Sequence, residues 1–143
     1  MPRFMKIRVF QERDRGDVLR LWEDCGLTRP WNDANKDIDR KLAFQPNLFF
    51  VGLDGATLIA TAMAGYDGHR GSVFYLAVAP RLQGLSYGAA LMTHVEHALV
   101  ALGCPKLNIL VRSSNESVLG FYDAIEYASE DVRCVGKRLI PDL

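Results

Sequence analysis

The stretch VAPRLQGLSYGAALM, residues 78–92, decides how the rest of the chain is read. An apolar run stops at Pro80, passes through a short loop with Gly84 and Gly88, and re-enters a helix at Leu91 and Met92. A strand, a glycine-containing loop and a helix start together make an anion site. Free N–H groups at the helix start point outward, the helix dipole adds partial positive charge, and small residues let a phosphate oxygen approach the backbone. Arg81 can add a point charge. A tight strand-to-helix turn needs glycine as well, so the loop alone reads either as a ligand cradle or as a turn. The two ordinary nucleotide signatures, GxxxxGK[ST] and a GxGxxG after the first strand, are absent.

Upstream of this loop, residues 72–79 are almost continuously apolar, which predicts a strand covered on both faces. Residues 48–53 and 57–66 read as two more strands joined by the hairpin dipeptide Asp54-Gly55. Earlier still, Ile38 and Leu42 mark a helix capped by Asn32 or Asp33 and ended by Pro46 and Asn47. Val18, Leu21, Trp22 and Cys25 mark another, with Asp14 as its N-cap and Gly26 as its stop, after a first strand at residues 6–10. Downstream, Leu91, Val95, Ala98, Leu99 and Leu102 form one helical stripe that ends at Gly103 and Pro105. Residues 107–111 read as a strand, and Asn115 opens a helix aligned on Val118, Tyr122 and Ile125. Two short strands are expected within residues 128–140. The order is β-α-α-β-β-β-α-β-α-β-β, a mixed α/β (α+β) domain rather than a regular doubly wound one.

The whole chain, residues 1–143, has the length of one domain with its own core. Lys plus Arg equals Asp plus Glu at 17 each, so no global charge points to nucleic acid or an anionic membrane. Cys25, Cys104 and Cys134 are odd in number and far apart, which argues for reduced thiols rather than a disulfide framework or a zinc site. His94 and His97 share a helix face, but no carboxylate pair or cysteine completes a metal set, and no metal is expected. The N-terminal MPRFMKIRVF lacks the apolar core of a signal peptide, and no apolar run nears the ~20 residues of a membrane span. A cytoplasmic location is therefore expected.

A second stretch, VRSSNESVLGFYDAIEY at residues 111–127, joins the first. Together they resemble the GNAT superfamily of acyl-CoA-dependent N-acetyltransferases. That family pattern has a strand ending V-x-P, then Q/R-x-x-G-x-G/A and a helix, and later a strand, an Asn and a helix carrying F/L-Y-x-x-x-G-F. Here these are Val78, Pro80, the loop from Gln83 to Gly88, Asn115 and Phe121-Tyr122. The segments RPWND, GYDGHRG and GCP resemble the small bacterial branch typified by YpeA. The chain departs from the pattern at Ser86, which stands for the loop's second glycine, at Leu85, where a basic residue is frequent, and at Glu126, which stands for a helix-ending glycine.

The resemblance implies a mostly antiparallel, strongly twisted sheet whose central strands splay apart, with helices on both faces and acetyl-CoA lying in the gap as cosubstrate. Leu76, Ala77 and Val78 would bond the pantetheine arm. Gln83, Gly84, Leu85, Ser86, Tyr87 and Gly88 would hold the pyrophosphate, and Asn115 would contact the cofactor or fix the strand opening. Tyr122 would protonate the leaving thiolate, although spacing alone favours a half-buried core aromatic. His69 and Asp67 are candidates for the general base, with hairpin chemistry the competing role for Asp67 and ordered water an alternative base. Arg29, Trp31, Asp33 and Tyr75 would border the acceptor, with Asp33 open to a capping role instead. The implied acceptor is an amine of a small molecule or a peptide, and a homodimer is compatible with the family. A non-catalytic acyl-CoA sensor on the same fold is the alternative reading.

Overall fold

The computed structural model describes residues 4–142. The strands are β1 (Lys6–Val9), β2 (Phe49–Asp54), β3 (Thr57–Tyr66), β4 (Gly71–Val78) and β5 (Leu107–Asn108). The helices are α1 (Arg15–Asp24), α2 (Ala34–Leu42), α3 (Tyr87–Ala101) and α4 (Glu116–Ala124). The strands form one sheet in the order β1-β2-β3-β4-β5, antiparallel up to β4 and parallel between β4 and β5. This is the mixed α/β domain read from the element order, with the mostly antiparallel sheet that the resemblance implied.

Strand alternation sorts the core onto two faces. Phe49 and Val51 of β2 point to α1 and α2, where Val18, Leu21, Trp22 and Ile38 are buried. Phe50, between them in sequence, points the other way, to Tyr87, Leu91, Met92, Val95 and Leu99 of α3 and to Tyr122 of α4. The stripes read from helical spacing are the ones turned to the core, except that Leu102, the last residue of the α3 stripe, stands at the helix end and is exposed, and the sheet carries helices on both sides.

The feature that shapes the middle of the molecule is a bulge in β4. Met63 pairs with Phe74 and Thr61 with Ala77, so Ala62 alone faces Tyr75 and Leu76. Tyr75 takes a left-handed backbone with φ of 53°. A tyrosine there is strained, and bulges of this kind kink and over-twist a strand. Thr61 holds the bulge: its hydroxyl donates to the Tyr75 carbonyl at 2.8 Å and accepts the indole N–H of Trp22 at 2.8 Å. The Tyr75 ring in turn stacks on Trp22 with centroids 3.8 Å apart. On the other edge, β4 and β5 share only the pairs Gly71–Leu107 and Ser72–Asn108. Beyond Ser72 the two strands part, which is the splay.

Several local expectations are corrected. Asp14 stands at the N-cap of α1, but its side chain makes no capping bond there. Its carboxylate accepts both guanidinium nitrogens of Arg8, at 2.7 and 2.9 Å, and the Gln11 N–H at 2.8 Å. A bidentate charged pair is the stronger competitor for those oxygens. The residues of β4 are not covered on both faces throughout, because Phe74 is 48% exposed beside a cavity. The two strands expected within residues 128–140 do not form. β5 is only two residues long and offers that tail no edge to pair with, and Val132, Val135 and Leu139 remain exposed. The tail is tied down by charge instead, through Asp142 to Arg40 at 2.6 Å and Glu130 to Lys106 at 2.5 Å.

Candidate active site

The diverging strands open a cavity of about 700 Å³. Its walls come from the α1–α2 loop (Arg29, Asn32), α2 (Asp37, Lys41), the bulged part of β4 (Tyr75, Leu76), residues 109–112 after β5, and α4 (Tyr122). It therefore joins the α1–α2 face of the sheet to the α3–α4 face through the gap.

On the α4 side, Tyr122 is 8% exposed and packs edge-on against Phe121 and Tyr127, with centroids at 5.0 and 5.5 Å. Its hydroxyl makes no hydrogen bond among the described residues. Since no side-chain polar atom is both sealed and unpartnered, that hydroxyl is left open to the cavity. Burial pushes its pKa up to about 12, so the phenol is a proton donor at every ordinary pH. Tyr127, one turn on, is committed elsewhere: its hydroxyl donates to Glu96 at 2.5 Å.

On the α2 side, a polar cluster surrounds Asp37. Its Oδ2 accepts the Tyr75 hydroxyl at 2.6 Å and the Asn32 amide at 2.6 Å, and its Oδ1 accepts Arg40 at 3.2 Å. Burial first, and then the bond to Asp37, raises the Tyr75 pKa, so this tyrosine stays a donor. Lys41 lies one turn beyond Asp37 on α2. It is 9% exposed, and its ammonium donates to the Ala64 carbonyl. Burial pushes its pKa down.

The loop of residues 83–86 enters α3 by two left-handed residues, Gly84 with φ of 80° and Ser86 with φ of 73°. Glycine adopts this conformation freely; serine does so at a cost. The Ser86 side chain makes no capping bond, and the first N–H groups of α3 have no intrahelical acceptor. Gly88 sits where an added Cβ would come within 3.1 Å of the Phe121 ring, so its hydrogen lets α3 and α4 approach.

The acetyltransferase (GNAT) family model matches residues 16–127, most of the chain. The chain belongs to the GNAT acetyltransferase family. An acetyltransferase of Yersinia pestis (strain Pestoides F) is 49% identical over 138 residues, covering 96% of this chain and 98% of that protein. Among solved structures, the PaiA N-acetyltransferase of Thermoplasma acidophilum in complex with coenzyme A superposes with a TM-score of 0.77 at 14% identity, over 91% of this chain and 93% of that one. An aminoglycoside acetyltransferase from an uncultured soil sample, in complex with trehalose, gives a TM-score of 0.70 at 22% identity, over 96% and 97%. At such identities the structural likeness speaks for the fold.

Within this GNAT fold, the cavity brings together Tyr122, Asn115, Leu76, Tyr75 and Arg29 of the residues singled out from sequence. Asn115 also caps α4, accepting the Val118 N–H at 3.3 Å. Ala77 and Val78 lie next to the cavity along β4 without lining it, and Gln83 donates to the Val78 carbonyl at 3.1 Å. Tyr87 is buried in the α3 core. Leu85 is exposed on the loop.

Four residues expected to border the acceptor or to act as the base lie outside the cavity. Asp33 caps α2, accepting the Asn35 and Lys36 N–H groups at 2.9 and 3.2 Å, and does not line the cavity. Trp31 is 56% exposed and borders a separate surface hollow with residues 137–140. Asp67 and His69 stay in the β3–β4 turn, where the Asp67 carboxylate accepts the His69 and Arg70 N–H groups, both at 2.8 Å. Neither lines the cavity. That turn lies at the end of β4 still paired to β5, away from the splay.

Asp37 and Lys41 were not singled out from sequence, and Asn32 was read only as a possible helix cap. The spacing of Asp37 and Lys41 on α2 is that of any solvated helix face, and it is the approach of Tyr75 through the bulge that brings Asp37 into a hydrogen-bonded cluster.

Proposed function

We propose that this acetyltransferase moves an acetyl group from acetyl-CoA to a primary amine of a small molecule or peptide by direct attack, with Tyr122 as the general acid. The observation that carries this reading is the unpartnered Tyr122 hydroxyl on the wall of the cavity between β4 and β5. The unpaired edge of β4 beyond Ser72 suits an extended arm, and the left-handed entry into α3 suits a pyrophosphate. These are the places where Leu76, Ala77 and Val78, and the loop from Gln83 to Gly88, would hold acetyl-CoA, which supplies an activated thioester.

Tyr122 then gives its proton to the departing sulfur as charge develops there. A phenol at about 12 remains protonated until it is needed. Backbone N–H groups at the Tyr75–Leu76 bulge, freed from the regular ladder, are the donors for the carbonyl oxygen. On the opposite side, Asp37 is the carboxylate in the cavity wall, with Tyr75 and Asn32 fixing its orientation. It holds the amine end of the acceptor and the water that takes the amine's proton. Asp67 and His69 have no part in this reading.

Calorimetric titration with acetyl-CoA, followed by thiol release across a panel of amines and peptides, tests it. Saturable binding with acceptor-dependent thiol release is expected. Binding with no release for any amine would favour the acyl-CoA sensor, and absence of binding would overturn both.

A further inference from the structure

The charge on the cavity wall is lopsided. Arg29, Arg40, Lys41 and Arg112 line it, against the single carboxylate of Asp37 among the described residues. Arg40 is committed to Asp37 and Asp142. Lys41 is not committed to any carboxylate. Its Nζ spends one of three N–H donors on the Ala64 carbonyl, while the residue as a whole is nine-tenths buried. A buried ammonium without a counter-ion is unfavourable, and a leucine or methionine would pack the same wall at no such cost. Position in the last turn of α2 offsets only part of this. Arg29 adds a second open donor group. Its Nη1 is bound to the Gly26 and Thr28 carbonyls at 2.7 and 2.8 Å, and the Nε–Nη2 edge, the one that grips carboxylates in bidentate fashion, makes no bond among the described residues.

The carboxylate of Asp37 has complementary room. Its Oδ2 already accepts two bonds, whereas Oδ1 accepts only Arg40. One lone pair is left for an amine. The wall thus presents one acceptor for a cation and two donors for an anion.

We propose that the acceptor carries a carboxylate as well as its amine, an amino-acid-type zwitterion rather than a polyamine, and that Lys41, supported by Arg29, binds that carboxylate. This deepens the acetyl-transfer reading and rests on it. Lys41 is a specificity-determining residue here; the acetyl group and the reacting nitrogen lie at Tyr122 and Asp37.

The test compares common α-amino acids with their carboxamides and their decarboxylated amines, on the wild type and on Lys41→Met, Lys41→Arg and Arg29→Gln. Thiol release should favour the carboxylate form by about tenfold or more in kcat/KM. That preference should collapse in Lys41→Met, mainly through KM, survive in part in Lys41→Arg, and weaken in Arg29→Gln. The Arg29 variant alters an irregular loop, so it reports even if the Lys41 variants lose their fold in a thermal melt. No preference in the wild type, or the same preference in folded Lys41→Met, overturns the proposal. So does an equal fall in kcat for all amines with a displaced pH profile, which would make Lys41 the base. Acetyl-CoA titration is run on the same samples. If it fails, the acetyl-transfer reading falls by itself. Calorimetry with the amino acids and carboxamides alone then decides the proposal: carboxylate-dependent heat lost in Lys41→Met sustains it, and its absence overturns it.

Discussion

The role proposed for Tyr122 rests on its surroundings. Spacing along α4 makes it one more aromatic on a buried stripe, and most of its ring is indeed core. What distinguishes it is the hydroxyl left open at the cavity wall. Tyr122→Phe keeps the ring and removes the proton. It should lower kcat by about 10²–10⁴-fold while leaving the acetyl-CoA dissociation constant within a few-fold; single-turnover kinetics and calorimetry separate the two. Because burial holds the phenol at about 12, the wild-type rate should show no alkaline decline from this group across the neutral range. Ser86 makes a different point. Its left-handed backbone asks for glycine, and the side chain contributes no cap. Ser86→Gly should stabilise the protein by up to about 1 kcal/mol, after the larger unfolded-state entropy of glycine is subtracted. A rise of about 2–4 °C in Tm is the expected reading.

At the scale of elements, the bulge in β4 governs the site. It is held by one small side chain: Thr61 is fully buried and links the Trp22 indole to the Tyr75 carbonyl. Thr61→Val keeps the shape but leaves the indole N–H and that carbonyl without partners. The cost should be about 2–3 kcal/mol in chemical denaturation. Acetyl-CoA affinity should fall as well, since the bulge sets the exposed edge of β4. Helix ends show the same division between local and long-range causes. α1 closes with Gly26 left-handed and a bond from the Leu27 N–H to the Trp22 carbonyl at 2.9 Å. α4 closes identically, with the Tyr127 N–H on the Tyr122 carbonyl at 2.9 Å, yet Glu126 occupies the left-handed position. The departure from the family's glycine is absorbed without any change of path.

For the molecule as a whole, the tail beyond α4 is bound by ions rather than by strands. Asp142 accepts Arg40 at 2.6 Å and the Asp33 N–H at 2.9 Å, and these hold its pKa down to about 2, Arg40 contributing most. A carboxylate with a lowered pKa stabilises the docked form above its unfolded value of ~3.9 and loses that contribution as pH falls toward 2. Trp31, beside residues 137–140, reports on docking. Its emission should shift toward the solvated form between about pH 4 and 2. At neutral pH, Asp142→Asn should produce the same shift and speed tryptic cleavage after Lys137 and Arg138 several-fold. Unchanged emission and cleavage would assign the docking to other contacts.

Period and punctuation alone determined the two helical stripes around Val18–Trp22 and Leu91–Leu99, the hairpin at Asp54-Gly55 and the strand–loop–helix passage at residues 78–92. Those features depend on near neighbours, and apolar spacing records them directly. The motif residues likewise led to the family, because loop and helix start are contiguous in the chain. Tertiary structure decided the rest. It decided that Tyr75 would turn left-handed, since Thr61 and Trp22, which hold the bulge, come from two other elements. It moved Asp33, Asp67 and His69 out of the cavity by giving two of them backbone N–H groups to cap or turn and leaving the third in the same closed-end turn. It brought Asp37 and Lys41 in, residues whose types are common on any exposed helix face. And it left residues 128–140 without strands, because a strand exists only where a partner edge is offered, and β5 ends after Asn108.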